Sequence, residues 1–107
     1  MVKTYTFDKA TILVGQNAKD NDRLWKQADA EDVWLHLKDL PSPHAIICVK
    51  GHIHTNVLHA AAELVKLGSK EKCAKKSTVI YCPVSNLKAT TTIGMVKLRS
   101  EPQTISV

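Results

Sequence analysis

Asp32-Val33-Trp34-Leu35-His36-Leu37-Lys38, then Asp39-Leu40-Pro41-Ser42-Pro43, then His44-Ala45-Ile46-Ile47-Cys48-Val49-Lys50 is the stretch that decides the fold. Side chains alternate between the two faces of an extended strand. Over 32–38 this puts Val33, Leu35 and Leu37 on one side and Trp34, His36 and Lys38 on the other. Two prolines in three residues then fix φ and remove ladder donors, which makes 39–43 a turn. The apolar run over 44–50 returns as a second strand, so 33–49 reads as an antiparallel hairpin closed by Lys50-Gly51. Val33, Leu35 and Leu37 are core. The opposite side carries a large aromatic beside two polar groups, the pattern of a sheet face that is only partly covered.

Outward from the hairpin, residues 2–7 alternate and are rich in β-formers, and Thr11 to Val14 is a second short strand ended by Gly15. Asn17 is placed to cap a helix from about Ala18 to Ala28, with Leu24, Ala28 and Trp25 on its apolar stripe. After the hairpin, Thr55 or Asn56 is expected to cap a helix to about Leu67, with Val57, Leu58, Ala61, Leu64 and Val65 at core spacing. Gly68 follows as a natural helix stop. Ser77 to Cys82 is a strand that Pro83 ends, and Ser85 to Thr92 is polar and expected to be irregular. Met95 to Arg99 and Gln103 to Val107 are two more short strands. The order is strands, helix, hairpin, helix, strands. It predicts an α+β fold, a mainly antiparallel sheet with about two helices in a single domain, rather than a doubly wound one.

The 107 residues fit one domain, and 44% apolar with 23% charged composition is that of a globular chain. The longest apolar run, Ala45 to Val49, is too short to cross a membrane, and residues 1–20 lack the apolar core of a secretory signal. Cys48, Cys73 and Cys82 are odd in number and contain no C-x-x-C, so reduced thiols in a cytoplasmic protein are expected. The net charge of +5 is one-sided: residues 1–54 balance, and residues 55–107 carry all of it. Lys66, Lys70, Lys72, Lys75 and Lys76 are interrupted only by Glu71. A dense basic stretch suits a polyanion, because each neutralised phosphate releases counterions. It is equally what a solvated helix end looks like, where lysines complement the macrodipole.

The hairpin holds the most unusual chemistry. Trp34 and His36 share a face and the turn brings His44 near them. Such rings could stack on an unpaired base, or Trp34 could instead cover core beneath a helix. His52, His54 and His59 could hold zinc or nickel, but no fourth ligand is evident and no metal or other cofactor is expected. No G-x-S-x-G, P-loop or H-E-x-x-H pattern is present, and no catalytic residue is assigned. Asn86 and Lys88 sit in a Ser/Thr-rich loop that could clamp phosphates or be simply solvated.

These residues together resemble the NFACT-R domain, the RNA-binding module of the NFACT proteins, which include fibronectin-binding-protein-A-like and ribosome quality-control factors. Gly15-Gln16-Asn17-Ala18-Lys19-Asp20-Asn21-Asp22 is similar to its Gly-Arg-Asn-Ala-x-x-Asn-Asp signature, and Asp32-Val33-Trp34-Leu35-His36 to its Asp-x-Trp-x-His strand. Pro41-Ser42-Pro43-His44 stands where the family has Pro-Gly-Ser-His. Ala61-Ala62, Val79-Ile80-Tyr81 through Asn86-Leu87-Lys88, and Gly94-Met95-Val96 follow in family order. The resemblance covers residues 11–107 and makes 1–107 a single NFACT-R-like domain. It looks most like the stand-alone eukaryotic form that precedes a coiled coil, here either a minimal member or an excised domain. Gln16 replaces an Arg that could have paired with phosphate, and Pro43 replaces a small residue in the turn.

The resemblance implies a non-catalytic nucleic-acid-binding module linked to translation or ribosome-associated quality control. The expected partner is RNA, tRNA or rRNA above all, with DNA as a variant. The expected contacts are Asn17, Asn21, Trp34, His36, His44, Lys70, Lys72, Lys75, Lys76, Asn86 and Lys88. Two other classes stay open. One is an adaptor that docks on ribosomal or quality-control proteins without touching RNA. The other is an enzyme acting on nucleic acid through His36, His44 and Asp32.

Overall fold

The computed structural model describes residues 1–48 and 51–107; the end of the expected second hairpin strand, Val49-Lys50, lies outside them. Eight strands, two α-helices and one 3-10 turn follow in the order β1 (Lys3–Phe7), β2 (Ala10–Val14), α1 (Ala18–Gln27), β3 (Val33–Leu37), β4 (Ala45–Cys48), α2 (Thr55–Leu67), β5 (Thr78–Pro83), the 3-10 turn Val84–Asn86, β6 (Leu87–Ala89), β7 (Val96–Leu98) and β8 (Gln103–Ser106). Six strands form one sheet in the order β1-β2-β4-β3-β5-β8, and every neighbouring pair is antiparallel. β6 and β7 form a separate antiparallel pair.

The hairpin of β3 and β4 is the centre of that sheet. Its register sets Val33 opposite Ile47, Trp34 opposite Ile46 and Leu35 opposite Ala45. The period of two therefore sorts the strand residues into two cores. Val33, Leu35, Leu37, Ala45 and Ile47 meet Ile12, Val14 and Val79 under α2, which contributes Val57, Ala61, Ala62 and Val65. Ala61 and Ala62 are both fully buried, and their small side chains let α2 lie close on the sheet. Trp34, Ile46 and Cys82 face the other way and pack with Leu24 of α1 and with Val84 and Leu87.

That second layer corrects two expectations. The face bearing Trp34 is not half covered at its centre: α1 and the β6–β7 pair close over it, leaving Trp34 2% exposed. The stretch 85–92 is not irregular throughout, because Leu87–Ala89 pairs with Val96–Leu98. Leu87 is the one large apolar residue of a polar run, and burying it turns the run into a strand. A third difference lies at α2, whose N-cap is His54 rather than Thr55 or Asn56. No side chain caps it, and the Val57 and Leu58 amides donate to the His54 carbonyl instead.

α1 begins as its sequence requires. Asn17 Oδ1 accepts the Asp20 amide at 2.9 Å, and the Asp20 carboxylate accepts the Gln16 amide at 3.1 Å. These bonds use donors that a bare helix start would leave unpaired. The β1–β2 connection is a two-residue loop, with Asp8 and Lys9 at φ 50° and 68°. Two positive φ values in a two-residue hairpin match the right-handed twist of the strands.

Candidate nucleic-acid interface

The Gly15–Asn21 segment is tied to the start of β4 by a close approach. The Gly15 amide donates to the His44 carbonyl at 3.0 Å, and the His44 amide donates to Asn21 Oδ1 at 3.2 Å. A Cβ on Gly15 would overlap the Asn21 amide oxygen, so glycine is what allows both bonds. The two asparagines of the signature thus have separate tasks: Asn17 starts α1, and Asn21 fastens it to the hairpin.

Under that junction lies a cluster of three rings. Trp34 Nε1–H donates to His44 Nδ1 at 3.1 Å. His36 stacks on Trp34, with centroids 5.6 Å apart and planes 8° from parallel. His44 stands edge-on to both. His44 accepts at Nδ1, so its own proton is on Nε2. His36 Nδ1 lies 2.6 Å from the Leu37 carbonyl and must be the protonated nitrogen there. Burial, with the His36 ring beside it, pushes His44 down to about 3, and burial lowers His36 as well. Both rings are neutral at physiological pH.

The ring cluster changes what these residues can do. Trp34 and His44 are buried, so the stacking of an unpaired base on Trp34 has no open ring face to use. Through its backbone, His44 bonds Gly15 and Asn21, which line the neighbouring cleft. Nor do His36, His44 and Asp32 converge as an acid–base set. The His44 lone pair is committed to Trp34, and the Asp32 carboxylate accepts the Asp29 amide at 3.0 Å at the far end of β3.

Beside the Gly15–Asn21 junction opens a cleft of about 800 Å³. Its lining brings together Gln16, Asn17 and Asn21, the Leu40–Pro43 turn, Leu64 and Leu67 of α2, Lys70, and the Ile93–Met95 turn. Gly94 sits at φ 80°, and a Cβ there would lie 2.9 Å from Ala18 Cα. Glycine therefore lets the 92–95 turn lean directly on the first residue of α1, and that contact makes one wall. Lys3 and Tyr5 of β1 line the cleft as well.

The expected lysines divide. Lys70, Lys72, Lys75 and Lys76 are exposed in the turns between α2 and β5, and among the described residues none of them makes an ion pair. Lys66 is occupied, its Nζ donating to the Val107 carbonyl at 3.0 Å. Lys88 is exposed on β6, away from the cleft. Asn86 is held at the surface by Ser100: its Nδ2 donates to the Ser100 carbonyl at 3.0 Å and its Oδ1 accepts the Ser100 amide at 2.9 Å. Its amide ties the 3-10 turn after β5 to the connection between β7 and β8. Among the described residues no three His, Cys, Asp or Glu side chains are grouped to hold a metal ion, and no helix is long and apolar enough to cross a membrane.

The sequence reading missed Leu40, Leu67, Ile93 and Met95, all more than 40% exposed and all on the cleft. The signal was there in part. Ile93 and Met95 are apolar residues in an otherwise polar loop, and Leu67 falls outside the core spacing of α2.

Fold and cleft together define a small α+β module with a basic-bordered surface cleft at one end of an antiparallel sheet. The chain belongs to the NFACT protein RNA binding domain family, whose model matches residues 1–98. The match takes in β1, which the resemblance read from sequence left out, and stops short of β8. Relatives include the coiled-coil domain-containing protein 25 homolog of Dictyostelium discoideum, 34% identical over 83 residues that are 72% of this chain and 40% of that protein. Another is the Rqc2 homolog RqcH of Bacillus subtilis, 33% identical over 79 residues, 73% of this chain and 14% of that one. The C-terminal part of the fibronectin/fibrinogen-binding protein from Streptococcus suis has the same fold. Its TM-score is 0.92 at 30% identity, over 99% of this chain and 44% of that one. The chain therefore spans less than half the length of the relatives it matches.

Proposed function

We propose that residues 1–107 act as one non-catalytic RNA-binding module in translation or ribosome-associated quality control, working in the cytoplasm on tRNA or rRNA. The observation that carries this reading is the run of exposed lysines Lys70, Lys72, Lys75 and Lys76, without ion pairs among the described residues, whose first member, Lys70, lines the signature cleft. A lysine without an acidic neighbour keeps its full charge for phosphate, and a cluster of them gives affinity that falls steeply with salt. Lys88 adds a phosphate contact on the other layer in this reading. Asn17 and Asn21 supply the closer polar contacts, and Trp34, His36, His44 and Asn86 position the surface rather than touch the nucleic acid. Membership in a family of RNA binding domains and likeness to an Rqc2 homolog support the assignment.

Reversing the lysine cluster tests it. Lys70→Glu, Lys72→Glu, Lys75→Glu and Lys76→Glu together are expected to weaken tRNA binding at least about 100-fold at moderate salt and to flatten its salt dependence. All four positions are exposed, so the thermal midpoint should hardly move. Unchanged affinity with a folded variant would show that RNA, if bound, meets another surface. Capture of ribosomal or quality-control proteins that survives nuclease treatment would support the adaptor reading instead.

A further inference from the structure

The cleft carries more chemistry than phosphate attraction needs. Among the described residues six large apolar side chains are exposed, and four of them, Leu40, Leu67, Ile93 and Met95, line this cleft. Scattered singly, exposed apolar side chains need no explanation; gathered around a concavity they mark a contact surface. Pro41 and Pro43 extend the apolar lining. Below them Asn17 and Asn21 spend only their amide oxygens internally, on the Asp20 and His44 amides. The Nδ2 groups of both have no hydrogen bond among the described residues. Lys3 and Lys70 are exposed at the margin without ion pairs, and Glu71 is the only acid in the lining.

We propose that this cleft takes a single unpaired nucleotide of the bound RNA, an extruded base or a strand end, between its apolar walls. The inference rests on the RNA-binding reading above and adds which part of the RNA is recognised. A volume of about 800 Å³ is that of a small-molecule site, and its lining sets polar side chains such as Asn17, Asn21 and Lys70 among apolar walls. A duplex presents phosphates on the outside of a cylinder and keeps its base faces hidden, so it cannot use a concave apolar site. An unpaired base has two apolar faces to bury and a polar edge that an amide can read. The lysines at the margin complement the one negative charge that each nucleotide brings, which favours RNA over an apolar protein anchor as the occupant.

The experiment compares, by anisotropy, labelled RNA hairpins whose two strands are joined by a non-nucleotide polyethylene glycol linker, so that the blunt form offers no unpaired base: one blunt-ended, one with a four-nucleotide single-stranded 3′ extension, against the wild-type chain and the triple variant Leu67→Ser, Ile93→Ser, Met95→Ser. The three side chains are 64%, 56% and 59% exposed, so the variant should fold, which its circular dichroism and thermal midpoint check. The wild type is expected to bind the extended hairpin about tenfold more tightly than the blunt one. The triple variant should keep its affinity for the blunt hairpin and lose the preference. Equal wild-type affinity for both hairpins, or a variant that keeps the preference, would overturn the cleft assignment while leaving RNA binding by the lysines standing. No wild-type binding to either hairpin at low salt would overturn both.

Discussion

Gly15→Ala is expected to destabilise the protein by about 2–6 kcal/mol. The added Cβ would overlap Asn21 Oδ1 and lie 3.1 Å from the Asn21 backbone nitrogen, so backbone as well as side chain is crowded. Relief by rotating the Asn21 amide away leaves the His44 N–H without its acceptor. Forcing an extra carbon into a packed site costs about 1–3 kcal/mol, and an unpaired buried donor costs about 1–3 kcal/mol more. Asn21→Ala removes the acceptor and the obstacle together and should cost only the second of these. The double variant should then lie well below the sum of the two singles, since the overlap with the Asn21 side chain is gone and only the 3.1 Å approach to its backbone nitrogen remains. Urea titrations of the three variants measure this directly. A Gly15→Ala chain within about 0.5 kcal/mol of wild type would mean the signature glycine has no packing role.

The second large effect is acid lability centred on His44. The ring is buried, its pKa is pushed down to about 3, and the Trp34 indole occupies the Nδ1 lone pair. Its folded value lies below its unfolded value of 6.5, so the unfolded chain binds a proton that the folded one refuses. The stabilisation is therefore complete above pH 6.5 and is lost as the pH falls toward about 3. Each pH unit in that window removes about 1.4 kcal/mol through this group. Between pH 7 and pH 5 the loss from His44 is about 2 kcal/mol. His36 is lowered in the same direction and adds to it. His44→Gln can still accept from the indole but does not titrate. Its unfolding free energy should fall less between pH 7 and pH 5, by about that 2 kcal/mol. Parallel curves for the two proteins would show that His44 is not held neutral.

Much of the framework was legible because local rules and global packing agree. Asn17 is a favoured N-cap ahead of a helical stretch, and the structure puts α1 at Ala18–Gln27 with Asn17 capping it. The alternation Val33, Leu35, Leu37 against Trp34, His36 gave the central hairpin and its two faces. The cover over Trp34 was not legible. It depends on Leu87, a lone apolar residue in a polar run, and on pairing between Leu87–Ala89 and Val96–Leu98 that no short window contains. Asn21 and Asn86 were read as nucleic-acid contacts, the first from the family signature and the second from its Ser/Thr-rich loop, and neither reading could see a partner inside the fold. Asn86 turned out to bond Ser100 fourteen residues on, and Asn21 to bond His44 twenty-three residues on. The cleft was hidden for the same reason: it is assembled from β1, the start of α1, two turns and the end of α2. Its apolar lining could be noticed residue by residue, but only the fold puts those residues in one place.

The most direct test of the RNA-binding account is anisotropy with labelled tRNA and a length-matched DNA duplex at two salt concentrations. The account predicts micromolar or tighter binding that favours tRNA and weakens steeply as salt rises. A folded sample that binds neither nucleic acid at low salt would contradict it. The basic loop after α2 would then serve solubility, and the cleft would have to be read as a surface for a protein partner.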